Sequence, residues 1–154
     1  MVDEDGAGGE SLCAGYEIAF PFERTTGTMV GTFLGGLRER RLLGVRTGRG
    51  TVLCPPAEFD PVTGEPLSEL VDLEPEGSVR AWTWVPPRAG DPVPHPFAWA
   101  LVAVDGTEGS FFHAVDTGGD PDRLRRGLRV RARWAEQPRG ELRDLVCFEP
   151  LERP

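Results

Sequence analysis

Few side chains in this sequence could perform acid–base or nucleophilic chemistry. The chain has two histidines, His95 and His113, and one tyrosine, Tyr16. All 17 basic residues are arginine, which excludes a Schiff-base lysine and the lysine of a phosphate-binding P-loop. His113 has no neighbouring serine, cysteine or paired carboxylate that would indicate a catalytic triad. We therefore predict no catalytic residue and no activity of the chain by itself.

Composition excludes several further classes of protein. The 154 residues predict one compact domain or two very small ones, and 20 glycines with 15 prolines predict many turns. The net charge of −8 argues against non-specific nucleic-acid binding, because that affinity comes from neutralising phosphates. No apolar run approaches the roughly 20 residues of a membrane span. We expect neither nucleic acid nor a membrane as a partner.

The cysteines and the N-terminus indicate a reducing compartment. Cys13, Cys54 and Cys147 are an odd number at wide spacing, which favours free thiols. The start of the chain, Met1–Asp5, is acidic and has no apolar stretch, so we expect no signal peptide and a cytoplasmic location.

The two halves of the chain differ in charge. Residues 1–76 contain 14 acidic residues and 6 arginines, a net of 6 − 14 = −8, whereas residues 77–154 contain 11 of each and are neutral. An acidic, proline-rich stretch gives way to alternating apolar residues at Pro75–Gly77. This change predicts a module boundary between 76 and 77.

Alternating apolar residues predict five strands in the second half. Asp105–Gly106 is a strong hairpin signal between the second and third strands. The predicted strands are Ser78–Val85, Phe97–Val104, Ser110–Val115, Leu128–Trp134 and about Leu142–Phe148.

A short helix is predicted between the third and fourth strands. Asp120 suits the N-cap, Pro121 the first helical position and Gly127 the left-handed exit. Three strands, a helix and two strands is the order of an OB-fold, a five-stranded partly open barrel. An SH3-like barrel is the alternative, although it usually lacks a helix at this point.

The first half predicts a disordered segment, a helix and a small ribbon. Residues 1 to about 14 are rich in glycine and acidic residues, which is typical of disorder. Apolar residues at helical spacing predict one helix over 28–43, ended by Gly44 and weakened by its internal glycines.

Two glycine-ended turns, at 46–50 and 60–64, resemble the paired knuckles of a rubredoxin-like zinc ribbon. A zinc knuckle needs two thiolates three residues apart. Here Arg46, Arg49, Asp60 and Thr63 occupy those positions, so no metal is expected. We interpret Cys54, between the knuckles, as a buried apolar residue, and an ion pair of Asp60 with Arg49 or Arg46 could replace the metal as a crosslink. The fold class is therefore mainly β: a helix and metal-free ribbon remnant in residues 1–76, and an OB-fold barrel in residues 77–154.

Several residues of the second half are candidates for contact with a partner or a ligand. His95 lies in a stiff proline-rich loop, which is either a rigid surface loop or a finger that reaches a partner. His113 lies in mid-strand, where a satisfied barrel histidine is the favoured interpretation. Aromatic pairs could stack on single-stranded nucleic acid or fill the barrel and its contact with a partner; they are Trp82 with Trp84 and Phe97 with Trp99.

Arginines alternate along the fourth predicted strand at Arg129, Arg131 and Arg133. The first interpretation is an outer face kept hydrated and protected from aggregation. The second is recognition of anions, either phosphate groups of a ligand or acidic groups of a partner, because the planar guanidinium donates two hydrogen bonds at once.

The layout as a whole resembles the domain-of-unknown-function-35 family, rubredoxin-like zinc-ribbon and OB-fold proteins associated with acyl-CoA enzymes. The resemblance covers about residues 20–150. It is carried by the helix ending LRERRLLG, the Pro-Pro after the first knuckle, the tryptophan-rich first barrel strand, and the 97–115 hairpin with the Asp-Pro-Asp segment after it. The chain departs from the family pattern by lacking all four zinc thiolates.

The resemblance implies an accessory role. Members of this family bind thiolase-fold enzymes, or hot-dog-fold hydratases, that act on coenzyme A thioesters. We therefore expect a non-catalytic subunit in a hetero-oligomer with a thiolase or retro-aldolase, shaping its acyl-CoA site, with steroid side-chain degradation as one setting. The chain binds no cofactor in this interpretation, and the thioester is the substrate of the complex. The resemblance also implies that the ligand of the candidate contact residues is the acyl-CoA, with the phosphates of coenzyme A facing the arginines. These residues are His95, Phe97, Trp99, His113, Arg129, Arg131 and Arg133. The alternatives are a subunit of a hot-dog-fold enoyl-CoA hydratase and an OB-fold binder of single-stranded nucleic acid.

Overall fold

A computed structural model of the chain describes residues 18–19 and 25–151. The predicted disorder of residues 1 to about 14, together with Cys13 and Tyr16, lies outside the described residues. In the described part, one α-helix precedes eight strands. They are α1 (Thr28–Arg38), β1 (Leu42–Arg46), β2 (Val52–Leu53), β3 (Glu69–Leu73), β4 (Glu76–Val85), β5 (Phe97–Val104), β6 (Phe111–Val115), β7 (Arg129–Trp134) and β8 (Leu145–Pro150).

The helix α1 ends earlier than the sequence pattern predicts. It stops at Arg38, and Arg40 takes a left-handed conformation with φ 58°. Leu42 and Leu43, predicted as the last helical turn, instead begin β1. Their side chains lie on opposite faces of that strand, and both are buried. Gly44, predicted as the helix cap, lies within β1. Burial of these residues in a sheet outweighs their helical propensity, which is a weak determinant.

The N-terminal strands form a three-stranded antiparallel sheet in the order β2-β1-β3. The central strand β1 pairs with β3 from Leu42↔Leu73 to Arg46↔Glu69, and with β2 at Val45↔Leu53 and Arg46↔Val52. This sheet brings the two turns at 47–50 and 60–64 to one end, as in a ribbon. Neither β1 nor β3 was predicted as a strand.

The second half forms a closed barrel in the order β4-β5-β6-β8-β7, with β7 returning to β4. All its pairings are antiparallel except β6 with β8, which are parallel at Val115↔Phe148. This is the strand order of an OB-fold, so the predicted five-stranded barrel is confirmed. The predicted helix over 120–127 is only a short 3-10 turn, Pro121–Arg123, capped by the Asp120 side chain. A second 3-10 turn, Leu142–Asp144, occupies the start of the last predicted strand, so β8 begins at Leu145 and not at Leu142.

One hydrophobic core joins the helix to the barrel. The barrel interior contributes Val79, Val102, Phe111 and Phe148 among others, and Phe33 and Leu37 of α1 pack into the same cluster. The rings of Phe33 and Phe111 lie 6.4 Å apart. Each of these side chains contributes about 1.5–3 kcal/mol by burial, so α1 is held by the barrel despite its glycines.

The chain passes from the N-terminal sheet to the barrel through a short connection. β3 ends at Leu73 in the N-terminal sheet, and β4 begins at Glu76 in the barrel. The helix of the N-terminal half and the barrel share one hydrophobic core. The division into domains at 76 and 77 stays a prediction. In the described part of the chain, no helix is both long and apolar enough to span a membrane.

Candidate functional site

The outer face of β5 and β6 carries exposed apolar side chains. Leu101 and Phe112 lie directly opposite each other in the sheet register, so their side chains share one face. Phe112 is 59% exposed and Leu101 is 41% exposed. The indole of Trp99 stacks on Phe112, with ring centroids 5.6 Å apart and planes inclined by 19°. We call Trp99, Leu101 and Phe112 the aromatic face.

The other predicted aromatic contacts are placed differently. Phe97 is fully buried among Val93 and Cys147, and it meets Trp99 edge to face at 5.2 Å. Phe97 therefore flanks Trp99 on the same face of β5, where it is covered and cannot itself touch a partner. Trp82 is partly exposed, whereas Trp84 packs against the barrel core.

His113 is a satisfied core histidine. It is buried inside the barrel beside the rings of Phe111 and Phe148, and its Nε2 donates a hydrogen bond to the carbonyl oxygen of Leu145 at 2.6 Å. Burial lowers the pKa of His113, and the hydrogen bond to Leu145 opposes that effect only in part. The side chain is neutral and enclosed, so it presents no group for direct contact with a ligand.

His95 is held by a buried carboxylate. Its Nε2 lies 2.7 Å from Oδ1 of Asp116, which is only 6% exposed and also accepts the backbone N–H of Gly118 at 2.8 Å. On the other oxygen, Arg133 donates from Nη1 at 2.9 Å. Burial by itself would raise the pKa of Asp116, but the hydrogen bonds from His95, Gly118 and Arg133 outweigh it and lower that pKa. Asp116 therefore joins the proline-rich loop to β7.

A cleft of about 380 Å³ opens next to this carboxylate. We call it the arginine cleft, because three guanidinium groups line it. Two of them are held by Glu149, whose carboxylate lies 3.1 Å from Arg131 and 3.9 Å from Arg133. The lining residues are Asp116, Thr117, Gly118, Arg123, Arg131, Arg133, Glu149 and Pro150.

Arg129 does not join the other two arginines of its strand. Its guanidinium donates to both carboxylate oxygens of Asp105, at 2.7 and 2.5 Å, and to Glu76 at 3.3 Å. It is absent from the lining of the arginine cleft. The three alternating arginines therefore have two different environments. Arg129 links β7 to Glu76 and Asp105, whereas Arg131 and Arg133 line the arginine cleft.

The two turns of the N-terminal sheet meet through an ion pair. Nη2 of Arg49 lies 3.7 Å from Oδ1 of Asp60, while Arg46 pairs with Glu69 at 2.7 Å. Of the two crosslinks considered from the sequence, the structure contains the one with Arg49. Oδ1 of Asp60 also accepts the backbone N–H groups of Val62 and Thr63.

The four ribbon positions do not fit a zinc ion. Two of them are guanidinium cations, and the Asp60 carboxylate already accepts hydrogen bonds from its own turn. Nowhere in the described ranges do three His, Cys, Asp or Glu side chains cluster as metal ligands. Cys54 is buried, as predicted, and burial raises its pKa to about 12.

The sequence analysis did not single out Asp116 or Glu149, the two carboxylates that organise the cleft. Asp116 follows β6 directly and precedes Thr117-Gly118-Gly119, with both glycines at positive φ. A carboxylate at a strand end before a glycine turn was the available signal. Glu149 carries no such signal, because only the antiparallel pairing Arg131↔Glu149 places it there.

Comparisons with known proteins agree with this fold. Residues 70–135 match the family model described as the ChsH2 C-terminal OB-fold domain. None of the curated proteins matches the chain.

Two solved structures are similar to the chain. One is the crystal structure of a protein of unknown function from the DUF35 family of Sulfolobus solfataricus, with 16% identity and a TM-score of 0.55 over 70% of this chain and 78% of that one. The other is the Ltp2-ChsH2(DUF35) aldolase, with 20% identity and a TM-score of 0.59 over 82% of this chain and 98% of that one. At these identities, the likeness of the structures concerns the fold.

Proposed function

We propose that this chain is a DUF35-family protein and the accessory subunit of an aldolase. The match of residues 70–135 to the ChsH2 C-terminal OB-fold model and the likeness to two DUF35 structures support this proposal. In this proposal the partner is a thiolase-fold enzyme that breaks a carbon–carbon bond of an acyl-CoA thioester by retro-aldol cleavage. Thioesters of steroid side chains are one such substrate. The single observation that carries the proposal is the likeness to the Ltp2-ChsH2(DUF35) aldolase over 98% of that chain.

The state of the nucleophilic and basic side chains supports a non-catalytic role. Cys54 and Cys147 are buried, and burial raises the pKa of each thiol to about 12. A thiol with such a pKa is protonated at neutral pH and is a poor nucleophile. His113 is enclosed in the barrel. The carbon–carbon chemistry is therefore assigned to the partner, and this chain shapes its surroundings.

The aromatic face is the proposed contact with the partner. Exposed aromatic side chains are enriched at protein interfaces, where they bury large areas with little loss of side-chain entropy. Phe97 contacts Trp99 edge to face, and Val93 of the proline-rich loop packs in the same cluster, so the face is preorganised for docking.

Co-expression with an Ltp2-type thiolase-fold protein of the same organism tests the proposal. We expect a stable hetero-complex in size-exclusion chromatography with light scattering, and aldol cleavage of an acyl-CoA by the complex but not by this chain alone. A hot-dog-fold hydratase of the same organism serves as the competing partner. Binding to that hydratase alone, or turnover of acyl-CoA by the isolated chain, would overturn the proposal.

A matched pair of phenylalanines tests the docking face. Phe112→Ser removes a 59% exposed ring from the aromatic face, and Phe59→Ser removes a 60% exposed ring from the N-terminal half. We expect the first to weaken the complex by about tenfold or more and the second to leave its affinity unchanged. Equal effects would move the contact elsewhere without refuting the complex itself.

Single-stranded nucleic acid is a second candidate ligand, favoured by one observation. The aromatic face lies on the second and third barrel strands, where OB-folds bind oligonucleotides. Tryptophan fluorescence titration with an oligonucleotide at low salt discriminates the two functions. Tight, salt-sensitive quenching that Phe112→Ser abolishes would support the nucleic-acid function, whereas the net charge of −8 favours the protein partner.

A further inference from the structure

We infer that the arginine cleft is a binding site for a phosphate or diphosphate group of a small molecule. Its volume of about 380 Å³ lies at the small end of the range of about 300–1,000 Å³ for ligand sites. Its lining differs from that of most such sites, since five of its eight residues are charged. A cleft of this size and polarity suits an ionic group and not an apolar one.

Arg131 and Arg133 keep unused N–H donors at the cleft. Arg131 contacts Glu149 through Nε and Nη2, and Arg133 contacts Asp116 and Glu149 through Nη1. A guanidinium group has five N–H donors. Across residues 25–151, Nη1 of Arg131 and Nε and Nη2 of Arg133 donate no hydrogen bond. These N–H groups are available for phosphate oxygens.

The carboxylates in the cleft hold two of its arginines in place before any ligand arrives. Asp116 is nearly buried and fixes Arg133, while Glu149 lies against both Arg131 and Arg133. A cationic group fixed before the ligand arrives loses less entropy on binding, and planar guanidinium forks match phosphate oxygens.

The inference deepens the proposed function, because a coenzyme A thioester carries both a diphosphate and a phosphomonoester. It is nevertheless independent of the partner, since the cleft is formed by this chain alone. A test on the isolated chain therefore separates a failure of this inference from a failure to form the aldolase complex.

Isothermal titration calorimetry of the full chain with inorganic diphosphate, in a low-salt buffer without phosphate, provides the test. We expect one saturable site per chain, weakened by added salt because charges supply the affinity. Coenzyme A is titrated in parallel. Tighter binding of coenzyme A identifies a nucleotide-linked phosphate as the ligand, and equal affinity identifies the inorganic group.

Two charge-matched variants complete the design. Arg131→Gln is expected to weaken diphosphate binding by about tenfold, and Arg131→Lys to weaken it less. Arg41→Gln removes the same charge at a distant pair with Asp72 and is expected to leave the affinity unchanged. Absence of saturable binding of both diphosphate and coenzyme A, or equal weakening by the Arg41 and Arg131 variants, would overturn the inference. Thermal melting of each variant verifies that it is folded.

Discussion

Arg49 and Asp60 join the two turns of the N-terminal sheet, with Nη2 of the arginine 3.7 Å from Oδ1 of the carboxylate. The two partners are unequal, because Asp60 is 2% exposed while the side chain of Arg49 is 43% exposed. The carboxylate also accepts two backbone N–H groups of its own turn, from Val62 and Thr63. Asp60 is therefore the structural centre of this region, and Arg49 is a supplement to it.

Substitutions at these two residues should differ in cost. We expect Asp60→Ala to lower the free energy of unfolding by about 1–3 kcal/mol, because it removes a buried carboxylate together with the two backbone hydrogen bonds that fix the turn. Arg49→Gln should lower it by less than about 1 kcal/mol, since the Arg49 guanidinium is partly exposed and screened by water and lies 3.7 Å from the carboxylate. Urea denaturation measures both. An equal loss in the two variants would mean that the ion pair itself, and not the turn, supplies the stability.

The ribbon region shows what local sequence can and cannot predict. The turns at 47–50 and 60–64 were predictable, because Gly50 and Gly64 have positive φ, at 81° and 75°, which favours glycine. The strands β1 and β3 were not, since Leu42 and Leu43 continue the apolar spacing of α1. Only the pairing of Leu42 with Leu73 and of Leu43 with Asp72, a contact distant in sequence, makes them a strand.

Protonation of His113 should destabilise the fold. Burial lowers the pKa of His113 in the folded chain, whereas in the unfolded chain it is about 6.5. The unfolded state therefore binds the proton first as pH falls through about 6.5, and the free energy of unfolding decreases below that pH. We expect the wild type to lose up to about 1.4 kcal/mol per pH unit there.

The variant His113→Gln isolates this effect, because glutamine retains an N–H donor for the carbonyl of Leu145 but does not titrate. Urea denaturation at pH 7, 6 and 5 should show a shallower decline for the variant than for the wild type. All other titratable groups are the same in the two proteins, so the difference between them reports on His113. Identical slopes would contradict the enclosure of His113 in the barrel.

Asp116 should stabilise the fold only while it is ionised. Its pKa is held below the usual value because hydrogen bonds from His95, Gly118 and Arg133 outweigh the effect of burial. A lowered folded-state pKa gives stability that is present above about pH 4 and is lost as pH falls through the folded-state value. We expect Asp116→Asn to lower the free energy of unfolding at pH 7 by about 1–3 kcal/mol.

The pH profile of that variant provides the control. Between pH 5 and 3 the wild type should lose stability faster than Asp116→Asn, so the two curves converge. Asp144 also has a lowered pKa, from backbone hydrogen bonds that outweigh its burial, but it is present in both proteins. Parallel curves would show that the hydrogen bonds to Asp116 do not depend on its charge.

The candidate site was predictable in its residue types but not in its grouping. The alternation of Arg129, Arg131 and Arg133 placed them on one strand, which the structure confirms. Whether each arginine lies at the cleft depends on the carboxylates that face it from other parts of the barrel. Asp105 and Glu76 bind Arg129, whereas Glu149 and Asp116 bind the other two. Because these acidic partners come from elements 17 to 53 residues away, sequence spacing could not assign them.

Two glycines of the N-terminal half should respond in opposite directions to alanine. A Cβ on Gly44 would lie 2.6 Å from Cγ1 of Val52 and 2.9 Å from the backbone oxygen of Leu53, whereas a Cβ on Gly35 would meet nothing within 4 Å. We expect Gly44→Ala to lower the free energy of unfolding by about 1–3 kcal/mol, because β1 must move away from β2. Gly35→Ala should raise it by up to about 1 kcal/mol, since alanine favours the helix. Thermal and urea denaturation of the two variants measure the signs. Stabilisation by Gly44→Ala would contradict the close approach of β1 to Val52 and Leu53 on which this prediction rests.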